Sequence, residues 1–64
     1  MKAPTKRELE VLELLAHGLT AKKIANKLNI SLTTVIYHIE NLKAKLDCTN
    51  SNELIYKAMR MNLI

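Results

Sequence analysis

Hydroxyl and amine side chains are concentrated in the middle of this chain. Between residues 20 and 45 the sequence has five lysines and one acid, Glu40, whereas the whole chain has ten basic and six acidic residues. Ammonium groups, and hydroxyls at helix N-termini, bind phosphate oxygens, because the helix dipole favours anions at that end. The chemistry open to this segment is therefore the binding of a polyanion.

Two helices joined by a tight turn would position these groups. Apolar residues recur at helical spacing over residues 21–28 and 32–46, and between them lie Asn29, Ile30 and Ser31. Asparagine tolerates the left-handed backbone that a tight turn needs, and serine caps the helix that follows. This pattern is typical of a helix-turn-helix, whose second helix lies in the major groove of DNA. We therefore expect residues 32–46 to be a recognition helix.

A further helix is predicted before this pair, over residues 6–17. Thr5 and Glu8 have the spacing of a capping box, and apolar residues recur at helical spacing from Leu9 onwards. Gly18 follows as the residue after the C-cap, where a left-handed backbone ends many helices.

A fourth helix is predicted over residues 51–61, where Asn50 and Glu53 have the spacing of a second capping box. One glycine and one proline leave little material for hairpins. We expect an all-α fold, a four-helix bundle containing a helix-turn-helix, as a single domain over residues 1–64. Its helices are predicted at about residues 6–17, 21–28, 32–46 and 51–61.

Several classes of protein are not expected. Cys48 is the only cysteine, so neither an intrachain disulfide nor a cysteine zinc site can form. There is no signal peptide or membrane span, which favours a cytoplasmic protein without a membrane partner. The chain has no Ser-His-Asp set or phosphate-binding glycine loop, and a small helical domain offers little concave surface. We therefore expect no enzyme activity, cofactor, metal or small-molecule ligand, and we expect His38 to be wedged between helices.

The sequence resembles the C-terminal DNA-binding domain of LuxR-type (GerE-like) transcription regulators of bacteria. The residues that carry the resemblance extend in register over nearly the whole chain. They are Thr5, Arg7, Glu8, Glu10, Val11, Leu12, Ala16, Gly18, Thr20, Lys22, Ile24, Ala25, Leu28, Ile30, Ser31, Thr34, Val35, His38, Asn41, Lys45, Leu46, Glu53, Ala58, Leu63 and Ile64. The resemblance implies DNA recognition by the third helix and homodimerisation through the fourth, and it leaves RNA polymerase open as a further partner. It does not decide whether the protein acts alone or is part of a larger regulator.

The residues expected at DNA fall into two sets. Phosphate contacts are expected from eight residues whose other interpretation is a solvated face or a helix cap: Thr20, Lys22, Lys23, Thr33, Thr34, Asn41, Lys43 and Lys45. Base contacts are expected from Ile36, Tyr37 and Glu40. Isoleucine could meet a thymine methyl, and glutamate could accept from a cytosine amino group or simply repel phosphate. In the family that the chain resembles, a lysine is usual at position 36 and a basic or polar residue at position 40.

The apolar residues of the fourth helix are divided between a core and a dimer interface. Leu54 and Met59 are expected in the core, although Met59 is also a candidate for the interface. The candidates for the dimer interface are Tyr56, Met59, Arg60 and Met61. The alternative to DNA binding is a protein-interaction module that dimerises with a related regulator without binding DNA itself.

Overall fold

Four α-helices form the computed structural model, which describes residues 3–64 and has no strand in that range. Their bounds are α1 Lys6–Ala16, α2 Ala21–Leu28, α3 Leu32–Leu46 and α4 Ser51–Arg60. The predicted all-α fold is therefore confirmed; the first two residues of the predicted domain lie outside the described range. None of these helices has the length and apolar character needed to cross a membrane.

The two inner helices have the predicted bounds, and the two outer ones are each a residue shorter than predicted. α1 ends at Ala16 because His17 has left the helical conformation as its C-cap, and Gly18 follows with φ +93°. α4 ends at Arg60 because Met61 is its C-cap. The chain changes direction after α1 and after α4. His17 and Met61, the last residues predicted for these two helices, therefore cap them instead of extending them.

The first capping box is present as predicted, whereas the second is altered. The Thr5 N–H donates to Glu8 Oε1 over 2.9 Å, and the Glu8 N–H donates back to Thr5 Oγ1 over 3.1 Å. At α4, Asn50 Oδ1 accepts from the Glu53 N–H as expected, but the Glu53 carboxylate accepts from the N–H of Thr49. A capping box would have the Glu53 carboxylate accept from the N–H of Asn50, the N-cap residue. It accepts from the residue before, Thr49, so this half of the prediction was wrong. The Glu53 carboxylate secures the loop before the helix.

The core is built around α3, which packs against each of the other three helices. Val35, Ile39, Leu42 and Leu46 form its buried face, as their spacing predicts. The other helices contribute Val11, Leu12, Ile24, Ala25, Leu54 and Ala58 to the same core. Met59 was expected there too, but its side chain is 60% exposed. It lies one residue beyond Ala58, and that step of about 100° turns it out of the core.

One charge is buried with this core. Glu8 is only 4% exposed, and the Lys45 ammonium donates to its Oε1 over 2.6 Å, so the start of α1 is linked to the last turn of α3. Burial raises the pKa of Glu8. The hydrogen bonds from Lys45 and from the Thr5 N–H, with the charges of Lys45 and His38, outweigh this and lower the pKa overall. The carboxylate is therefore held ionised inside the fold.

A second lysine acts at the same end of α3 as Lys45. The Lys57 ammonium, on α4, donates to the carbonyl oxygens of Leu46 and Asp47 over 3.1 and 3.0 Å. Asp47 is the C-cap of α3 and has a left-handed backbone, with φ 56°. A cation at this position satisfies terminal carbonyls and complements the negative end of the helix dipole. α4 is thereby held to the end of the helix on which it packs.

We predict that Glu8→Gln lowers the free energy of unfolding by about 2–3 kcal/mol at pH 7, because it leaves the Lys45 charge without its buried partner. Glutamine still supports a capping box, so the substitution tests the ion pair alone. Urea unfolding measures the difference, and Glu53→Gln is the matched control at the start of α4. The control should show a smaller loss, because Glu53 has no partner of opposite charge in the ion pairs of the described residues.

The difference between wild type and Glu8→Gln should also depend on pH. The pKa of Glu8 is lower in the folded chain than its ordinary value of 4.5. Its contribution is therefore complete above that ordinary value and is lost as the pH falls through the lowered folded value. The two unfolding curves should converge in strong acid. A gap that stays constant down to pH 2 would contradict the role of the ionised carboxylate.

Candidate nucleic-acid interface

The turn between α2 and α3 has the geometry predicted for a helix-turn-helix. Asn29 ends α2 in the left-handed conformation, with φ 58°, and the Ile30 N–H donates to the carbonyl of Ala25 over 3.0 Å. Ile30 is half-buried and packs against the core. Ser31 then caps α3. The two helices are thus held at a fixed angle by the turn and by the core beneath it.

Hydroxyl groups stand at the N-termini of both helices. Thr20 Oγ1 accepts from the Lys23 N–H over 3.3 Å, and Ser31 Oγ accepts from the Thr34 N–H over 3.1 Å. The Ser31 and Thr34 hydroxyls also bond to each other over 2.8 Å. Only one of these two hydroxyls can donate in that bond, so the other proton is left for an outside acceptor. Thr33 is exposed beside them.

The predicted lysines differ in what they contact. Lys22 and Lys23 are exposed on α2, and neither takes part in the ion pairs of residues 3–64. Lys43 is paired with Glu40 of the same helix over 3.2 Å. Lys45 is paired with Glu8 and retains 19% of its side-chain exposure. Lys45 thus contributes to the fold, because its ammonium is bound to a buried carboxylate.

A continuous stripe covers the outer face of α3. Ile36 is 47% exposed and Tyr37 is 63% exposed, and the Glu40 side chain is 62% exposed one turn further on. Residues three and four apart lie next to one another on a helix, so these three side chains share one surface. Asn41 lies half-buried at its edge. The stripe is apolar at Ile36 and Tyr37 and acidic at Glu40, nearer the C-terminus of α3.

His38 lies beside this stripe, on the inner side. It is half-buried, and its Nδ1 atom is buried without a hydrogen-bond partner in the described part of the chain. Its ring centroid is 6.0 Å from that of Tyr37. The expected position between helices agrees with this burial. Within residues 3–64, no three side chains of His, Cys, Asp or Glu come together as metal ligands would.

Apolar and aromatic side chains are also exposed on α4 and at its C-cap. Tyr56 and Met59 are each 60% exposed, and Met61 is 45% exposed. Arg60 Nη1 donates to the Tyr56 hydroxyl over 3.1 Å, and the guanidinium lies 5.8 Å from the centre of the tyrosine ring. The four residues predicted for a dimer interface are thus all at the surface. Two of them already hold each other in place.

A shallow cavity of about 280 Å³ lies between α1, α4 and the end of the chain. Its lining residues are Glu13, Ala16, His17, Met59 and Ile64. None of the residues predicted to contact DNA lines it. It is therefore a feature of the α4 side of the molecule and is separate from the helix-turn-helix.

The pairing of Glu8 with Lys45 was not predicted, although the sequence contained a signal for it. Glu8 shares the helical stripe of Val11 and Leu12, so its carboxylate had to be buried with them. A buried carboxylate needs a cation. Lys45 lies one turn beyond the buried Leu42 and is a candidate for that partner. The pattern does not show which lysine comes close to α1, since that depends on how α3 crosses it.

Comparison with known proteins gives a consistent family. Residues 4–58 match the family model described as bacterial regulatory proteins, luxR family. The chain is 47% identical over 57 residues to the transcriptional activator protein CarR of Pectobacterium carotovorum subsp. carotovorum, covering 89% of this chain and 23% of that protein. It is 43% identical over 60 residues to the transcriptional regulatory protein LiaR of Bacillus subtilis (strain 168), covering 94% of this chain and 28% of that protein.

The fold has a match among solved structures as well. The response regulator ChrA of a heme-sensing two-component system superposes with a TM-score of 0.95 and 36% sequence identity, over 100% of this chain and 32% of that one. The chain thus spans less than a third of the length of each of these three relatives. Their family is one of DNA-binding transcription regulators and not of enzymes. From the family match over residues 4–58 and these relatives, the chain belongs to the LuxR family of bacterial regulatory proteins.

Proposed function

We propose that this chain binds double-stranded DNA in a sequence-specific manner as a transcription regulator, with α3 in the major groove and α2 across the backbone. The observation that carries the proposal is that two exposed lysines of α2 take part in none of the ion pairs of the described residues. The ion pairs of the described residues engage Arg7, Lys43 and Lys45, whereas Lys22 and Lys23 take part in none. These exposed charges flank the capped N-terminus of α2, and a DNA phosphate is the anion that suits such a position.

The phosphate contacts in this proposal come from both helices. Thr20, Lys22 and Lys23 would hold one phosphate group at the start of α2, and Thr33 and Thr34 another at the start of α3. Asn41 and Lys43 would meet the backbone further along α3. Such contacts fix the position of the protein on the duplex without reading its sequence. The base contacts are left to the exposed stripe of Ile36, Tyr37 and Glu40.

We further propose that two copies bind together through α4. Tyr56 and Met59 are each 60% exposed and, three residues apart, lie next to each other on α4, and Arg60 is already ordered against the tyrosine. A two-fold dimer would place two α3 helices on half-sites about one turn of DNA apart. The target would then be a pseudo-palindrome. As a regulator of transcription it would act in the cytoplasm, with RNA polymerase as a further partner.

We predict that Lys22→Ala weakens binding to every DNA sequence and lowers the slope of log K against log salt by about 0.9, and that Lys22→Ala with Lys23→Ala lowers it by about twice as much. Fluorescence anisotropy of a labelled mixed-sequence duplex over a salt series measures both quantities. Lys6→Ala is the matched control, since it removes an exposed lysine from α1. Equal slopes for wild type and the double variant would remove α2 from the interface.

Lys45→Ala should behave differently from the α2 variants. Its ammonium neutralises Glu8, so the expected loss is in stability, of the same order as for Glu8→Gln. The salt slope of the folded variant should match wild type. A slope lowered by about one, with stability unchanged, would return Lys45 to the phosphate contacts.

We predict that Met59→Glu weakens self-association by at least tenfold, because it places a charge in the apolar face of α4. The monomer should still fold, since this side chain is 60% exposed. Sedimentation velocity measures the oligomeric state, and Asn26→Glu, on the exposed surface of α2, is the matched control. A wild-type chain that dimerises but binds no DNA at low salt would favour the protein-interaction alternative.

A further inference from the structure

The outer stripe of α3 has an unusual composition for a surface that faces DNA. Two of its three side chains, Ile36 and Tyr37, are apolar over most of their area, and the third, Glu40, is negative. We propose that this stripe selects half-sites with a thymine at Ile36 and a cytosine at Glu40. The inference rests on the proposed function, because it assigns bases to a helix already placed in the major groove.

The apolar part of the stripe favours thymine. A single exposed isoleucine needs no explanation, but Ile36 lies one turn before Glu40 on the outer face of α3, the surface that would face the bases. Isoleucine neither donates nor accepts a hydrogen bond. Among the base edges of the major groove, the C5 methyl group of thymine is the apolar feature. Contact between the two removes both from water, whereas any other base would leave a polar edge against the side chain.

The acidic part favours cytosine. A carboxylate only accepts hydrogen bonds, and cytosine presents an amino donor in the major groove. Guanine and thymine present acceptors there, which would repel Glu40. Adenine has an amino group, but its N7 acceptor lies next to it. Cytosine is therefore the base that meets this carboxylate without an opposing acceptor.

The pairing of Glu40 with Lys43 makes this contact feasible close to phosphates. The ammonium donates to Glu40 Oε2 over 3.2 Å, which leaves Oε1 for a base. The lysine also offsets the negative charge that would otherwise be repelled by the DNA backbone. An unpaired glutamate at this position would weaken binding to all sequences, whereas a paired one can discriminate between them.

The helix geometry sets the distance between the two bases. Positions 36 and 40 are about 6 Å apart along the axis of α3, at 1.5 Å per residue. Successive base pairs are about 3.4 Å apart, so the thymine and the cytosine should lie within about two base pairs of each other. This spacing distinguishes the proposal from a general preference for pyrimidines.

The first test removes a single methyl group from the DNA. Half-sites are selected from a random duplex library, and each conserved thymine is then replaced by uracil, which keeps the base pairing. Burial of one methyl group corresponds to about fourfold in affinity, so a dimer on two half-sites should bind about fifteenfold more weakly. Ile36→Ala should bind the thymine and uracil duplexes equally. A wild-type affinity that uracil leaves unchanged would overturn the thymine contact.

The second test exchanges the base that Glu40 would select. Glutamine can pair with adenine through two hydrogen bonds, so Glu40→Gln should lose its preference for cytosine at one position and gain one for adenine, by about tenfold. Glu10→Gln is the matched control, because Glu10 is another exposed glutamate in an i, i+3 ion pair, with Arg7 on α1. Its selected half-site should equal that of wild type. A uniform rise in the affinity of Glu40→Gln for all sequences would overturn the cytosine contact.

The outcomes separate this inference from the proposed function. Salt-dependent binding with a selected half-site that lacks the thymine and cytosine pair overturns the inference and leaves DNA binding intact. Absence of binding at low salt, with the chain folded, overturns both. A half-site with both bases at the stated spacing, together with the uracil effect, supports the assignment of Ile36 and Glu40.

Discussion

Burial of the inner face of α3 is the constraint on which the other features of this molecule depend. Val35, Ile39, Leu42 and Leu46 are all buried, and they meet residues from each of the other three helices. A helix held by its neighbours in this way cannot rotate without exposing apolar surface, at about 25 cal/mol for each Å². The direction of its outer face is therefore fixed. The exposed stripe follows from the packing of the opposite side.

The charges of the chain are divided between the fold and its surface. Glu8 and Lys45 neutralise each other where α1 meets α3, and Lys57 caps the C-terminus of α3 from α4. In these contacts the lysine ammonium groups satisfy a buried carboxylate and the terminal carbonyl groups of a helix. Lys22 and Lys23 take part in none of the ion pairs of the described residues, so their charge is presented to solvent at the N-terminal end of α2. Lysines of this small domain thus either hold helices together or present charge to solvent. Composition alone cannot tell which lysine does which.

The two exposed apolar regions lie on different helices, and we propose different partners for them. The stripe on α3 is flanked by hydroxyls and lysines, as suits the edge of a DNA groove. The exposed residues of α4 and its C-cap include Tyr56, Met59, Arg60 and Met61, residue types that are enriched at protein–protein interfaces. α4 packs on α3 from the core side, through the buried Leu54 and Ala58, whereas the stripe lies on the outer face of α3. A dimer could therefore form without covering the proposed DNA contacts.

The sequence by itself determined the helices and the turn. Apolar spacing, the Thr5 cap and Asn29 act within a few residues of one another, and local interactions of this kind are visible in the order of the residues. Only the tertiary structure decided that Lys45 pairs with Glu8 and that Met59 is exposed. Lys45 can pair with Glu8 only because α1 lies next to the last turn of α3. Met59 is core or surface according to how far α4 has turned at that residue. Both depend on contacts between residues far apart in the chain, so periodicity within one helix could not settle them.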